Sequence, residues 1–351
     1  MKKKIGIVLL VILSLQNFSG CSRGIDLDFS KDKEIKNIKI GISLYDQYDT
    51  FIDSIADYFN KAVREKEREK NVTIQVNMVS ANGSQSKQND QVEQFVEQNY
   101  DIICVNLVDR TDPSMIIDRV KNANIPTIFF NRELVEEDLE RWDKLYYVGA
   151  VALESGIMQG KIMNAICKND FHSVDKNKDG KIQYVMLEGE SGHQDALLRT
   201  EYVIDTITKA GYSVERLGDE VANWNRAQAE TKMNNWIQKF GANIEVVFAN
   251  NDEMALGAVE AINKKKDIIN PMILGIDGTK EAIEAIEQGE MTGTVLNDSK
   301  GQAESMLELA YSLVTKEKLS SDIILLDGKY IRLPYEIVTK DNVEEIKKSI
   351  K

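Results

Sequence analysis

At 351 residues, with 57 acidic against 44 basic side chains, the chain carries a net charge of −13. That excess argues against nucleic acid as a partner. The length suits two domains with good cores, and beyond the amino terminus no apolar run is long enough to span a bilayer.

The first element is a targeting segment. Met1-Lys2-Lys3-Lys4 precedes an apolar run from Ile5 to Leu15, a charged n-region and an h-region too short to cross a membrane. Phe18-Ser19-Gly20-Cys21 resembles the bacterial lipobox. On that reading residues 1–20 are a lipoprotein signal peptide, Cys21 is the lipidated residue, and 21–35 form a polar tether. The expected location is extracytoplasmic, anchored to the outer face of the cell membrane by the N-terminal lipid.

From there short β-branched runs alternate with amphipathic helical stretches. Strands are expected at 38–45, 72–80, 101–107, 125–130, 145–150, 182–188, 244–250, 272–277 and 292–296. Between the first two, Ile52, Ile55, Phe59 and Val63 recur at helical spacing, with Thr50 or Asp49 as the cap. Cys104 sits in an apolar run and reads as a small buried hydrophobe, with no disulfide to Cys167 expected. A helix over 196–210 is followed by Gly211 in the C′ position. Strand–helix–strand repeats of this kind imply an α/β fold with parallel sheets and right-handed crossovers.

Residues 175–183 read Asp175-Lys176-Asn177-Lys178-Asp179-Gly180-Lys181-Ile182-Gln183. Oxygen-bearing side chains fall at loop positions 1, 3, 5 and 9 (Asp175, Asn177, Asp179 and Gln183). Gly180 allows the sharp turn, and Lys181 offers its carbonyl. This is the pattern of a calcium loop. It departs from an EF-hand at position 12, where Met186 replaces the bidentate Glu, and residues 182–187 read as a strand rather than a helix. The bidentate carboxylate has to come from elsewhere in the chain.

In open α/β sheets ligands bind beyond the carboxyl ends of strands. Those ends carry Asp49 and Phe51, then Asn131, Arg132 and Glu133, then His193, Asp195 and Arg199. Trp224 lies in a loop, followed by Asn250, Asn251 and Asp252, by Asp277, and by Asn297 and Asp298. Carboxylates and amides in pairs can satisfy sugar hydroxyls, each both donor and acceptor. Flat rings such as Phe51 and Trp224 suit the C–H faces of a pyranose. An amino acid would instead need a carboxylate clamp and an ammonium site. A glycosidase needs two flanking carboxylates, for which Asp49 with Asp277 or Asp195 could be imagined. A repressor on the same fold would begin with a helix-turn-helix rather than an export signal.

Lys87-Gln-Asn-Asp-Gln91, Phe129-Phe-Asn-Arg-Glu133, Gly189-Glu-Ser-Gly-His-Gln-Asp-Ala196, Ala249-Asn-Asn-Asp252 and Thr294-Val-Leu-Asn-Asp298 resemble the bacterial galactose/glucose-binding proteins. These are type I periplasmic binding proteins of an ATP-driven sugar importer, and the similarity runs from about 37 to 345. The resemblance implies two similar Rossmann-like lobes with parallel sheets joined by a three-crossing hinge. The N-terminal lobe would take 36–150 and 298–332, and the C-terminal lobe, with the calcium loop, 151–297 and 333–351. It carries sugar contacts onto Asp49, Phe51, Asn131, His193, Asp195, Arg199, Trp224, Asn251, Asp277 and Asn297, with Phe51 and Trp224 as the stacking rings. Its structural Ca2+ falls on Asp175, Asn177, Asp179, Lys181 and Gln183, with Glu245 as the missing bidentate ligand. Gln194 stands where that family usually has Pro. The implied protein is a monomeric, non-enzymatic receptor for D-galactose or D-glucose that docks on an ABC permease. A chemoreceptor or sensor kinase would read the same site through a different surface.

Overall fold

The computed structural model describes residues 37–265 and 270–349. The expected signal peptide and tether, with Cys21, lie outside the described residues.

The first half of the chain runs β1 (Asn37–Leu44), α1 (Thr50–Lys70), β2 (Thr73–Ser80), α2 (Gln85–Glu97), β3 (Ile102–Val105), α3 (Ser114–Ala123), β4 (Thr127–Phe130), the short α4 (Glu136–Leu139) and β5 (Leu145–Gly149). The second half repeats the scheme with α5 (Ala152–Asp170), β6 (Lys181–Glu188), α6 (Gln194–Lys209), β7 (Ser213–Val221), α7 (Arg226–Phe240), β8 (Val246–Ala249), α8 (Asp252–Asn263), β9 (Met272–Leu274), α9 (Lys280–Gln288) and β10 (Gly293–Asn297). The last elements are α10 (Ser299–Thr315), β11 (Tyr330–Arg332), β12 (Tyr335–Thr339) and α11 (Val343–Ser349).

Two six-stranded sheets result, ordered β11-β5-β4-β3-β1-β2 and β12-β10-β9-β8-β6-β7. Every pair in the first is parallel. The second departs from a wholly parallel sheet at its edge, where β12 runs antiparallel to β10. Only Leu333 and Pro334 separate β11 from β12, too short a link for a crossover, so β12 enters the second sheet from the opposite direction. β7, β11 and β12 carry no expectation from the sequence. β7 is a charged edge strand with weak alternation, and β11 and β12 are short.

Each sheet is covered on both faces, as parallel strands require. In the first, Ile52, Ile55 and Phe59 of α1 pack with Met306 and Leu309 of α10 against one face, and Phe95 and Ile117 cover the other. Asp49 caps α1, its Oδ1 accepting from the Phe51 and Ile52 amides at 2.9 and 3.0 Å. In the second, α5 and α6 pack so closely that a Cβ on Gly156 would meet the Arg199 carbonyl oxygen at 2.9 Å. That approach holds Arg199 at the top of the sheet. The chain passes between the sheets after β5, after β10, and between Arg332 and Tyr335. At the last passage the Leu333 amide donates to the Gly149 carbonyl at 2.9 Å, so two of the passages lie side by side.

Asp252 opens α8 inside the second half, fully buried. Its carboxylate accepts from the Thr279 amide at 2.8 Å and the Thr294 hydroxyl at 2.6 Å, tying α8 to α9 and β10. Burial pushes its pKa from 3.8 up to about 6 despite these donors. The folded chain therefore holds this proton more tightly than the unfolded chain, and the linked stability falls as pH rises from about 4 to about 6, then levels. Urea unfolding of wild type and Asp252→Asn at pH 4, 5, 6 and 7 should diverge by about 1.4 kcal/mol per unit across that window. The variant gains relative to wild type as pH rises. Parallel curves would mean that Asp252 keeps its charge throughout.

Candidate functional site

One small cavity opens between the carboxyl ends of the two sheets. Asp49, Phe51 and Asn131 line it from the first half, and His193, Asp195, Arg199, Trp224, Asn251 and Asp277 from the second. About 30 Å³ of free space remains, room for one or two waters. A ring-sized ligand therefore enters only if the halves part. Of the ten residues expected from the sequence, Asn297 is the one that does not line the cavity. It sits behind Asp277, its amide donating to the Asp277 carbonyl at 3.0 Å and its Oδ1 accepting from Gln302 at 2.8 Å.

Three lining residues hold left-handed backbone: Asn131 (φ 60°), Trp224 (φ 61°) and Asp277 (φ 130°). Side chains other than glycine pay about 1–3 kcal/mol each for such conformations, which persist where the surroundings enforce them. For Trp224 the enforcement is visible. Its ring lies where a Cβ on residue 189 would be, 2.0 Å away, so only Gly189 leaves room for it. The ring stands edge-on to His193 at 5.2 Å between centroids.

The polar groups are preset. His193 caps α6, its Nδ1 accepting from the Asp195 amide at 3.1 Å. Burial lowers its pKa to about 4, so the ring is neutral at physiological pH and its Nε2 is the donor. Arg199 is buried among carboxylates. Its Nη1 donates to the Asn250 carbonyl at 2.8 Å and lies 3.9 Å from Asp277, and its Nη2 is 3.3 Å from Asp195. Burial works against that charge, and Tyr335, Asp195 and Asp277 together outweigh it. Arg199 Nε is buried and makes no hydrogen bond among the described residues, a donor available to a ligand. Burial drives the Asp277 carboxyl well above its ordinary range, with Asp252 and Asp49 adding to the rise and Arg199 opposing it. Asn251 caps α8 through Oδ1 at 3.0 Å from the Met254 amide and turns Nδ2 toward the Trp224 carbonyl at 3.4 Å.

Tyr45 and Arg132 also line the cavity, outside the expected contact set. The Tyr45 hydroxyl donates to Asp49 Oδ2 at 2.5 Å, and the Arg132 guanidinium lies 3.5 Å over the Tyr45 ring. Tyr45 directly follows β1, so the strand-end rule points to it.

At the opposite end of β6, the loop 175–183 gathers a second set of oxygens. Asp175 accepts from the Asp179 and Gly180 amides at 3.1 and 2.9 Å, and Gln183 Nε2 donates to Asp179 at 2.7 Å. Glu245 reaches in from the residue before β8. Its two oxygens accept from the Lys176 amide at 2.6 Å and the Gln183 amide at 3.0 Å. Asp175 and Glu245 are 2% and 1% exposed. Among the described residues no Lys or Arg makes an ion pair with Asp175, Asp179 or Glu245, and Lys181 turns outward to Glu215 at 2.8 Å. No group of three or more His, Cys, Asp or Glu among the described residues is gathered as a metal cluster. Here two amides and a carbonyl would complete the donors. Buried carboxylates without an ion-pair partner among the described residues, set beside neutral oxygens, fit a hard cation.

A periplasmic binding protein domain model matches residues 40–318. The chain is 36% identical over 314 residues to the D-galactose/methyl-galactoside binding periplasmic protein of Haemophilus influenzae, covering 88% of this chain and 92% of that one. The crystal structure of an ABC transporter solute binding protein from Bacillus halodurans, with bound myo-inositol, has a TM-score of 0.74 at 27% identity, covering 90% of this chain and 99% of that one. An ABC transporter periplasmic solute binding protein from Actinobacillus succinogenes, with bound D-allose, has a TM-score of 0.73 at 21% identity, covering 88% and 99%, and shares the fold. These relatives are solute-binding proteins rather than enzymes. With the two doubly wound halves and the cleft between their strand ends, the chain belongs to the periplasmic binding proteins of type I fold.

Proposed function

We propose that this chain is the extracytoplasmic receptor of an ABC sugar importer and closes on a neutral hexose, D-galactose or D-glucose. The observation that carries this reading is the cavity lining. Carboxylates, amides, a neutral imidazole and one guanidinium with a free donor converge between Phe51 and Trp224. Each sugar hydroxyl can give its proton to a carboxylate and accept one from an amide or guanidinium, and hydrogen bonds to charged groups contribute about 1.5–3 kcal/mol each. The relative from Haemophilus influenzae is named for D-galactose and methyl-galactoside. Because the lining is split between two halves, sugar binds a closed form far better than an open one, and closure is what a permease would read.

Calorimetric titration of residues 24–351 against D-galactose, D-glucose, D-ribose and myo-inositol tests the ligand class. Both hexoses should bind with Kd of about 1 μM or below. In Trp224→Ala the affinity should fall by several kcal/mol while thermal stability without sugar changes little. Tight binding of D-ribose or myo-inositol with neither hexose bound would overturn the assignment.

The oxygen cluster of Asp175, Asn177, Asp179, Gln183 and Glu245, with the Lys181 carbonyl, is proposed as a structural Ca2+ site. Bound Ca2+ would neutralise the buried carboxylates. At a hundredfold excess over Kd it would add about 2.7 kcal/mol of stability. Calcium should raise the Tm of the wild type and leave that of Glu245→Gln nearly unmoved. A variant that keeps the whole calcium shift would remove Glu245 from the ligand set.

Lipid anchoring through Cys21 completes the proposal. Two acyl chains hold a protein at a membrane where one gives only reversible binding. Cys21→Ser should appear in the medium or remain unprocessed. A wild-type chain that is soluble and begins at another residue would contradict the anchor.

A further inference from the structure

We propose that Arg132 is a positioning residue which, through Glu190, times the release of sugar; this rests on the reading of the cleft as a closing sugar site. Arg132 follows Asn131 in the first half, and Glu190 follows β6 in the second. Their side chains meet across the mouth of the cleft, Arg132 Nη2 to Glu190 Oε2 at 2.9 Å. Among the described residues this is the one ion pair that joins the two halves. Arg132 is 5% exposed. Its Nη1 donates to the Val108 carbonyl at 3.0 Å and its plane covers the Tyr45 ring.

The contact leads into the site. Tyr45, held under the guanidinium, donates its hydroxyl to Asp49 Oδ2, while the α1 amides occupy Oδ1. Both oxygens of Asp49 are thus oriented, one by its own helix and one by the residue beneath Arg132. On the Glu190 side the loop continues to His193, whose amide donates to the Glu190 carbonyl at 3.1 Å. One ion pair therefore links a site carboxylate of the first half to the site imidazole of the second.

When the halves part, Glu190 leaves and Arg132 returns to water with Tyr45. The pair exists only in the closed form, so it biases that form and is broken on the way to release. Arg132 is the buried member of the pair, and removing Glu190 leaves that buried cation without its carboxylate, a loss that acts mainly on the dissociation rate. Glu190 is 39% exposed, so the effect is moderated by solvent.

Stopped-flow Trp fluorescence with the hexose that binds, on residues 24–351, reads this directly. Glu190→Gln should raise the dissociation rate about tenfold, with the association rate changed less than twofold. Glu190→Asp should restore part of the loss. Arg132→Lys keeps the charge without the planar stack on Tyr45 and should fall between wild type and Glu190→Gln. Small-angle scattering without sugar provides a readout that does not depend on the ligand. Glu190→Lys, which sets two cations face to face, should enlarge the radius of gyration at unchanged Tm. Hexose failure in the calorimetric panel would remove the sugar reading while this second measurement still reports on the latch. A dissociation rate unchanged in Glu190→Gln, or a radius unchanged in Glu190→Lys, would overturn the proposal.

Discussion

The burial of one guanidinium is the constraint on which the site depends. Arg199 sits 4% exposed beneath the cleft, and an uncompensated charge there would be prohibitive. It is stabilised only because α6, the end of β8, the end of β9 and β12 all bring it a partner: Asp195, the Asn250 carbonyl, Asp277 and Tyr335. Each partner is fixed in turn by the same demand. Asp277 keeps left-handed backbone to face Arg199, and α6 lies close enough to α5 only because Gly156 and Gly160 have no side chains there. The second half of the cleft is in this sense built around a charge, and its carboxylates are arranged before any ligand arrives.

The first half solves a different problem. It contributes fewer polar groups, and the decisive one, Asp49, does double duty as a helix cap. A carboxylate with one oxygen given to helix amides and the other to Tyr45 keeps little rotational freedom. That costs its ability to adapt and secures its direction. Phe51 comes along as the first turn of the same helix, packed into the core of its half at 7% exposure while still facing the cavity. A ring held by the core can serve as a rigid wall for an apolar sugar face.

The fold was legible because its period is strong. Buried strands such as β3 and β8 are continuous apolar runs, and helices such as α1 carry Ile52, Ile55, Phe59 and Val63 on one face, all buried. β7 was not legible, since an edge strand reading Ser-Val-Glu-Arg-Leu-Gly-Asp-Glu-Val buries little and alternates weakly. In the cleft, the end-of-strand rule with the resemblance reached Asp49, Asn131, His193, Asp195, Arg199, Asn251 and Asp277. Tyr45 lay within reach of the strand-end rule, its partner Asp49 being only four residues on. Arg132 escaped the contact set for a physical reason: no local spacing encodes its meeting with Glu190. Glu245 shows the same limit. It lies 62 residues from Gln183, whose amide it accepts, and only a resemblance pointed to it.

The two polar clusters share their strands. The loop 175–183 leads into the amino end of β6, and Glu245 precedes the amino end of β8; these strands are paired in parallel. The carboxyl ends of the same two strands lead to Glu190 and His193, and to Asn250 and Asn251. β6 is 8 residues long, which at ~3.3 Å per residue separates the clusters by roughly 26 Å. Over that distance direct Coulomb interaction is weak, and strand register is the physical link the two clusters share. The ion proposed above, by tying Glu245 to the loop, would hold β6 and β8 level with one another. Level strands bring the Asn250 side chain to the Gly189 amide at 3.0 Å, and with it the loop that carries Glu190 and His193. The cation proposed for one end of the sheet would thus act on the cleft at the other by fixing where β6 and β8 stop.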